Sequence, residues 1–246
     1  MPRQTLTIAT RDGRCPASVF TPAQGAGPWP GVLFLMDGPG IRPALWDMGQ
    51  RLADAGYLVL MPDLYYRSGP YAPMDPATVF ADPEKKAAML ALVGSLDRDR
   101  KVADAQAFVD CLASRPDVAG DRFGVVGYCM GGNCALTAAG ALPGRFAAVA
   151  AFHASRLASD QPDSPHRFVQ NIKGRVYVGG AFEDAHFTDE DKARLTQALV
   201  DAGVPHTVET YTNAYHGFAV PDMPVYNPEA AERHWAAVLN LFGATL

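Results

Sequence analysis

The stretch that decides the fold is Arg122-Phe123-Gly124-Val125-Val126-Gly127-Tyr128-Cys129-Met130-Gly131-Gly132-Asn133-Cys134-Ala135-Leu136. Its first part, Arg122–Gly127, is a short apolar run that predicts a strand. Its last part opens a helix of small residues over Asn133–Ala141. Between them, Gly127-Tyr128-Cys129-Met130-Gly131-Gly132 has the spacing of the G-x-S-x-G turn, with cysteine where that pattern has serine. Such a turn is sharp and strained, so the residues two away on either side of its centre must be small. It lifts the central side chain above the sheet at a helix N-terminus, where backbone N–H groups and the helix dipole favour a thiolate. An isolated cysteine would read as a packing residue. The flanking glycines, strand and helix instead make Cys129 the candidate nucleophile and the Met130 N–H a donor to a developing oxyanion.

Working outward, the same strand signal recurs at Gly31–Met36, Tyr57–Met61, Ala147–Phe152, Arg175–Gly179 and Thr207–Tyr211. These runs do not alternate with polar residues, so they predict strands covered on both faces, as in a parallel sheet. Helical spacing links Val102, Ala105, Phe108, Val109 and Leu112, and again Leu195, Ala198, Leu199 and Ala202. The acidic run Asp189-Glu190-Asp191 suits a helix start, and Asn227-Pro228-Glu229 reads as a cap followed by a first-turn proline. Thr5–Ala9 and Cys15–Phe20 read as an antiparallel edge hairpin turned at Asp12-Gly13. Residues Tyr66–Asp82, rich in proline, tyrosine and serine, read as a long loop of the kind that serves function or simply covers the surface. The alternation predicts one α/β domain over residues 1–246, an α/β-hydrolase fold with a mostly parallel twisted sheet and helices on both faces.

In that fold the nucleophile is followed in the chain by an acid and then a histidine. After Arg175–Gly179 comes Phe182-Glu183-Asp184-Ala185-His186-Phe187, with two adjacent carboxylates. Asp184 is the favoured acid and Glu183 the second candidate. After Thr207–Tyr211 comes Asn213-Ala214-Tyr215-His216-Gly217-Phe218, which makes His216 the base that takes the thiol proton. His153 follows a strand and is expected near the mouth of the pocket. His166, His186, His206 and His234 are read as surface or helix-face residues. The loop after Gly31–Met36, Asp37-Gly38-Pro39-Gly40, supplies Gly38 N–H as the second oxyanion donor.

The 246 residues include 48% hydrophobic and 19% charged residues, enough to bury a sizeable core. The net charge of −5 argues against a basic groove for nucleic acid. No apolar run approaches the roughly 18 residues of a membrane span, and the N-terminus lacks an apolar signal region. The expectation is a cytoplasmic protein, monomer or small homo-oligomer, with no nucleic-acid or membrane partner. Cys15, Cys111, Cys129 and Cys134 are expected as free thiols, with Cys134 in a packing role. No histidine pair has metal-ligand spacing and no phosphate-binding glycine loop is present, so neither a metal site nor a nucleotide cofactor is implied.

The sequence resembles the dienelactone hydrolase family. The resemblance rests on Gly127-Tyr128-Cys129-Met130-Gly131-Gly132, on Pro62-Asp63-Leu64-Tyr65 with Arg67, on Asp184 with Phe187, and on Tyr215-His216-Gly217-Phe218, in that family's order. It implies a triad of Cys129, His216 and Asp184, and hydrolysis of a small lactone or carboxylic ester through an acyl-enzyme. It also implies that Asp37, where the family carries a glutamate, tunes the thiol, and that Arg67 anchors a substrate carboxylate; read from the residues alone, Asp37 instead caps the Gly38-Pro39-Gly40 turn and Arg67 pairs with Asp63. Two other classes compete: an acyltransferase or thioesterase on the same fold, and a catalytically silent binding protein. Product analysis with added alcohols or thiols separates the first from a hydrolase. The presence of candidates for all three triad positions argues against the second.

Overall fold

The structure is a computed structural model that describes residues 3–246. Among the described residues eight strands form one sheet: β1 (Gln4–Thr10), β2 (Gly13–Phe20), β3 (Trp29–Leu35), β4 (Leu58–Pro62), β5 (Val118–Tyr128), β6 (Phe146–Phe152), β7 (Arg175–Ala181) and β8 (His206–Tyr211). Their spatial order is β1-β2-β4-β3-β5-β6-β7-β8. β1 and β2 pair antiparallel at one edge, β2 runs antiparallel to β4, and every pairing from β4 across to β8 is parallel. The sheet is therefore mostly parallel, with the expected hairpin as its antiparallel edge.

Among the described residues seven helices accompany the strands: α1 (Pro43–Asp54), α2 (Pro76–Val79), α3 (Pro83–Gly94), α4 (Arg98–Ala113), α5 (Met130–Ala141), α6 (Asp189–Asp201) and α7 (Pro228–Gly243). α1 and α7 pack together, with Arg51 on Glu232 and over the Trp235 ring. α4 packs against α5, whose small residues lie directly on β5 and β6. β4 and β6 are buried along their whole length, and β3, β5 and β7 over their carboxyl-terminal parts.

Local signals place the helix starts. Thr188 and Asp191 form a reciprocal capping box at α6, and the Asn227 side chain accepts from Ala230 N–H ahead of Pro228 at α7. Asp75, Asp82 and Asp97 cap α2, α3 and α4 in the same way. Two findings differ from the sequence reading. Tyr66–Asp82 is not structureless: it holds a 3-10 turn at Tyr66–Ser68 and all of α2. α1 and α3 also escape the periodic reading; α3 buries only Met89, so it offers little apolar stripe to recognise.

The order of strands fixes where a site can form. From β3 the chain crosses one way to β4, and from β5 the other way to β6. In a parallel sheet the crevice opens at that reversal, beyond the carboxyl ends of the strands, here β3 and β5. Those ends carry Asp37-Gly38 and Cys129.

Candidate active site

Cys129 leaves β5 with φ 53° and ψ −117° and serves as the residue preceding α5. This is a strained backbone for a non-glycine residue. The glycines around it are required by contact. A Cβ on Gly127 would sit 2.0 Å from the Gly131 carbonyl oxygen, and one on Gly131 would sit 2.4 Å from the carbonyl oxygens of Leu35 and Met36. The turn is thus pressed against its own helix and against the end of β3. Cys129 N–H donates to Phe152 O at 3.1 Å, and Ser155 N–H donates to Cys129 O at 3.3 Å, so the elbow is also laced to the segment after β6.

His216 Nδ1–H donates to Asp184 Oδ2 at 2.7 Å, and His186 N–H donates to Asp184 Oδ1 at 2.9 Å. Both carboxylate oxygens are occupied, and the Asp184 side chain is only 1% exposed. Burial alone would raise its pKa; the hydrogen bond and charge of His216 prevail and hold it below the usual carboxylate range. Cys129 lies close enough to act on His216 electrostatically. Burial disfavours the His216 cation, but the negative charge of Cys129 and then Asp184 outweigh burial and raise its pKa to about 10. Cys129, His216 and Asp184 therefore lie in one row, closed at its acid end by the His216–Asp184 hydrogen bond. The adjacent Glu183 takes φ 48° in the turn, and its side chain faces solvent.

Met130 is the first residue of α5, and Gly38 follows β3 across the crevice. The buried Tyr65 hydroxyl joins them: it donates to Gly38 O at 2.7 Å and lies 3.4 Å from Met130 Sδ. Tyr65 stands in the quoted Pro62-Asp63-Leu64-Tyr65 run, but its role as a strap between the two oxyanion candidates depends on folding and has no local signal. On the other side of the thiol, Ser155 Oγ is 3.8 Å from Cys129 Sγ. Asn133 holds that segment by donating to Ser155 O and Arg156 O at 3.2 and 3.0 Å.

Asp37 and Arg67 sit in ion pairs. The Asp37 carboxylate is bound by Arg42 at 2.6 and 2.9 Å and is almost fully buried. Burial pushes this carboxyl up, opposed by the Arg42 guanidinium. No hydrogen bond or ion pair joins Asp37 to Cys129 among the described residues. Arg67 grips Asp104 through two nitrogens at 2.7 and 2.8 Å and also reaches Asp12. Its partners are thus Asp104 and Asp12 rather than Asp63, which accepts from Tyr65 N–H and the Tyr71 hydroxyl.

Two histidines depart from their expected places. His153 lies beside His216 inside the protein, 1% exposed, and not at a mouth. His234 on α7 is fully buried, hydrogen-bonded to the Tyr128 hydroxyl at 3.0 Å beneath the elbow and to Ala231 O at 2.6 Å. All four cysteines are free thiols. Among the described residues no group of three or more His, Cys, Asp or Glu is arranged to hold a metal ion, and no helix is long and apolar enough to cross a membrane.

This geometry can be set beside known proteins. The family model of the dienelactone hydrolase family matches residues 15–246. The chain is 27% identical over its whole length to a Synechocystis protein named as a candidate carboxymethylenebutenolidase, covering 95% of that protein. It is 29% identical to a carboxymethylenebutenolidase of Rhodococcus opacus, with 86% of this chain and 79% of that protein covered. Among solved structures, a dienelactone hydrolase-like promiscuous phosphotriesterase from metagenomic libraries superposes with a TM-score of 0.78 at 25% identity, covering 100% of this chain and 99% of that one. A matched segment that spans the elbow, the acid turn and the histidine loop assigns the chain to its family: it belongs to the dienelactone hydrolase family.

Proposed function

We propose that the protein hydrolyses a small lactone or carboxylic ester, with Cys129 as nucleophile, His216 as general base and acid, and Asp184 as the group that orients His216. The observation that carries this reading is the cysteine on a strained turn, its charge acting on a histidine whose Nδ1 is fixed by a buried carboxylate at 2.7 Å. The family match and the names of the relatives support the substrate class.

The chemistry follows from the groups. His216 accepts the thiol proton, and the resulting thiolate attacks the carbonyl carbon. Negative charge moves to the carbonyl oxygen, which the N–H groups of Met130 and Gly38 receive. The tetrahedral adduct collapses, the C–O bond to the leaving group breaks, and His216 returns its proton to that oxygen. The acyl group is then a thioester on Cys129. In the second half His216 takes a proton from water, the hydroxide adds to the thioester, and collapse expels the thiolate and releases the acid. Asp184 keeps the His216 Nδ1 proton in place throughout and stabilises the imidazolium formed in each half.

The test is a screen of small lactones and short-chain aryl esters with wild type, Cys129→Ala and His216→Ala. Turnover in wild type, lost in both variants and lost on iodoacetamide treatment, is the expected result. Full activity in Cys129→Ala would overturn the mechanism, and turnover of none of these substrates would overturn the substrate class.

A further inference from the structure

Next to this row lies a buried imidazole with no task in it. His153 follows β6 and takes a left-handed backbone, φ 35°. Its N–H donates to Gly179 O at 2.8 Å, so the ring is fixed between β6 and β7. The side chain is shut from solvent, and neither ring nitrogen has a hydrogen-bond partner among the described residues. A buried polar ring left unpaired is costly, and a left-handed histidine adds strain. Leucine or phenylalanine would fill the volume without the unpaired nitrogens.

The neighbours of that ring narrow its role. His216 packs against it with ring centroids 5.4 Å apart, tilted 62°. Phe218, from the same loop as His216, lies at 5.3 Å, and Tyr128 of the elbow at 5.9 Å. His216 also packs on His186, with centroids 5.1 Å apart and tilted 68°, so two imidazole rings contact it. The ionisable groups around this row are Cys129 on the elbow, Asp184 and His186 after β7, Tyr128 on β5, and His234 on α7. A second cation here would repel the one on His216. Burial first, then the charges of His216 and His234, keep His153 neutral.

From this arrangement we infer that His153 is a positioning residue for His216, an uncharged imidazole wall that fixes the plane of the base and stabilises its cation without competing for the proton. Its electron-rich π system presents negative potential to an imidazolium, an attraction that strengthens where water is excluded. A benzene ring at the same place keeps an aromatic wall that is less electron-rich, while an aliphatic side chain loses the wall. The inference rests on the reading of Cys129, His216 and Asp184 as the catalytic unit.

The experiment compares His153→Phe and His153→Leu with wild type, beside Cys129→Ala and His216→Ala. Ester turnover is measured for kcat and KM, and 15N-histidine NMR follows the ring protons from pH 5 to 11. In His153→Leu, kcat falls at least about tenfold with KM little changed, because a base held off its plane transfers protons poorly. The pH at which His216 loses its proton also falls, and His153→Phe lies between Leu and wild type in both readouts. Folded variants with wild-type kcat and an unmoved His216 titration would overturn the inference, while the catalytic unit would stand if Cys129→Ala and His216→Ala remain dead. If neither His153 variant folds, the wild-type spectrum still decides: His153 neutral down to pH 5 beside a cationic His216 supports the wall, and a protonated His153 in the native protein refutes it.

Discussion

Arg42 reaches Asp222 through Nε at 2.7 Å and Nη2 at 2.8 Å, across 180 residues of sequence. The same guanidinium holds Asp37 and donates to Gly40 O at 3.0 Å. Asp37 and Gly40 belong to the loop that carries Gly38, and Asp222 follows the segment that carries His216. One buried cation therefore ties the proposed oxyanion loop to the histidine loop. Arg42→Met would leave the Asp37 carboxylate buried and unpaired. The expected loss is about 3–5 kcal/mol in urea unfolding, the usual cost of breaking a buried pair from one side. Asp222 is half-exposed, and Asp222→Asn should cost under about 1 kcal/mol.

The same brace bears on Asp37 as a tuner of the thiol. Its carboxylate is fully engaged by Arg42, so Asp37→Asn should act on stability. The rate of Cys129 alkylation by iodoacetamide, followed against pH, should keep its wild-type shape. An altered profile in a variant of unchanged stability would return Asp37 to the chemistry of the thiol.

The paired acids give a sharper contrast. Asp184→Asn preserves shape but withdraws the negative charge from His216 and upsets its tautomer. A drop in kcat of at least about a hundredfold is expected. Glu183 faces solvent from a left-handed turn, and Glu183→Gln should stay within about twofold of wild type, as surface substitutions usually do. Steady-state kinetics on one aryl ester suffices, and the reverse order would exchange the two roles.

How much of this was legible in the sequence depends on how local each requirement is. The elbow was readable because Gly127 and Gly131 are demanded by backbone contacts within a few residues of Cys129. The strands were readable because both-face burial leaves uninterrupted apolar runs such as Val32–Met36. The roles of His153 and His234 were not. His234 is buried because α7 closes over the sheet, and its partner Tyr128 lies 106 residues away. The same holds for Arg42, whose second acid, Asp222, is brought to it only by the fold. α3 was missed for a different reason: Met89 is its only fully buried residue, with Leu92 and Val93 half-buried beside it, so its sequence carries little periodic trace.

His234 predicts how stability depends on pH. Burial, the largest cause, lowers its pKa to about 3 in the folded protein. In the unfolded chain the value is about 6.5. The unfolded state therefore binds the extra proton first as pH falls. The stability that neutral His234 contributes is fully present above about pH 6.5 and is lost progressively from there towards pH 3, at up to about 1.4 kcal/mol per pH unit. Urea midpoints measured from pH 7.5 to pH 4.5 should fall in wild type. His234→Gln keeps an acceptor for Tyr128 without a titrating ring, so its curve should start lower and fall less steeply. Parallel slopes in the two proteins would assign the acid sensitivity elsewhere.

Tyr65 offers a way to separate the oxyanion site from the thiol. Its hydroxyl is buried, and burial pushes its pKa up, so it is a neutral donor at every working pH. It spends that proton on Gly38 O at 2.7 Å, which fixes the peptide that precedes Pro39 opposite the start of α5. Tyr65→Phe deletes one oxygen and leaves the Gly38 carbonyl without that bond, at a cost of about 1–3 kcal/mol in stability. The loop is then free to drift from Met130. If Gly38 and Met130 together receive the oxyanion, kcat for ester hydrolysis should fall by about tenfold or more, with KM nearly constant, because the lost interaction exists only in the transition state. Alkylation of Cys129 by iodoacetamide develops no oxyanion, so its rate should match wild type. A parallel fall in alkylation would mean that Tyr65 acts on the thiol, and unchanged turnover would remove the Gly38 loop from oxyanion stabilisation.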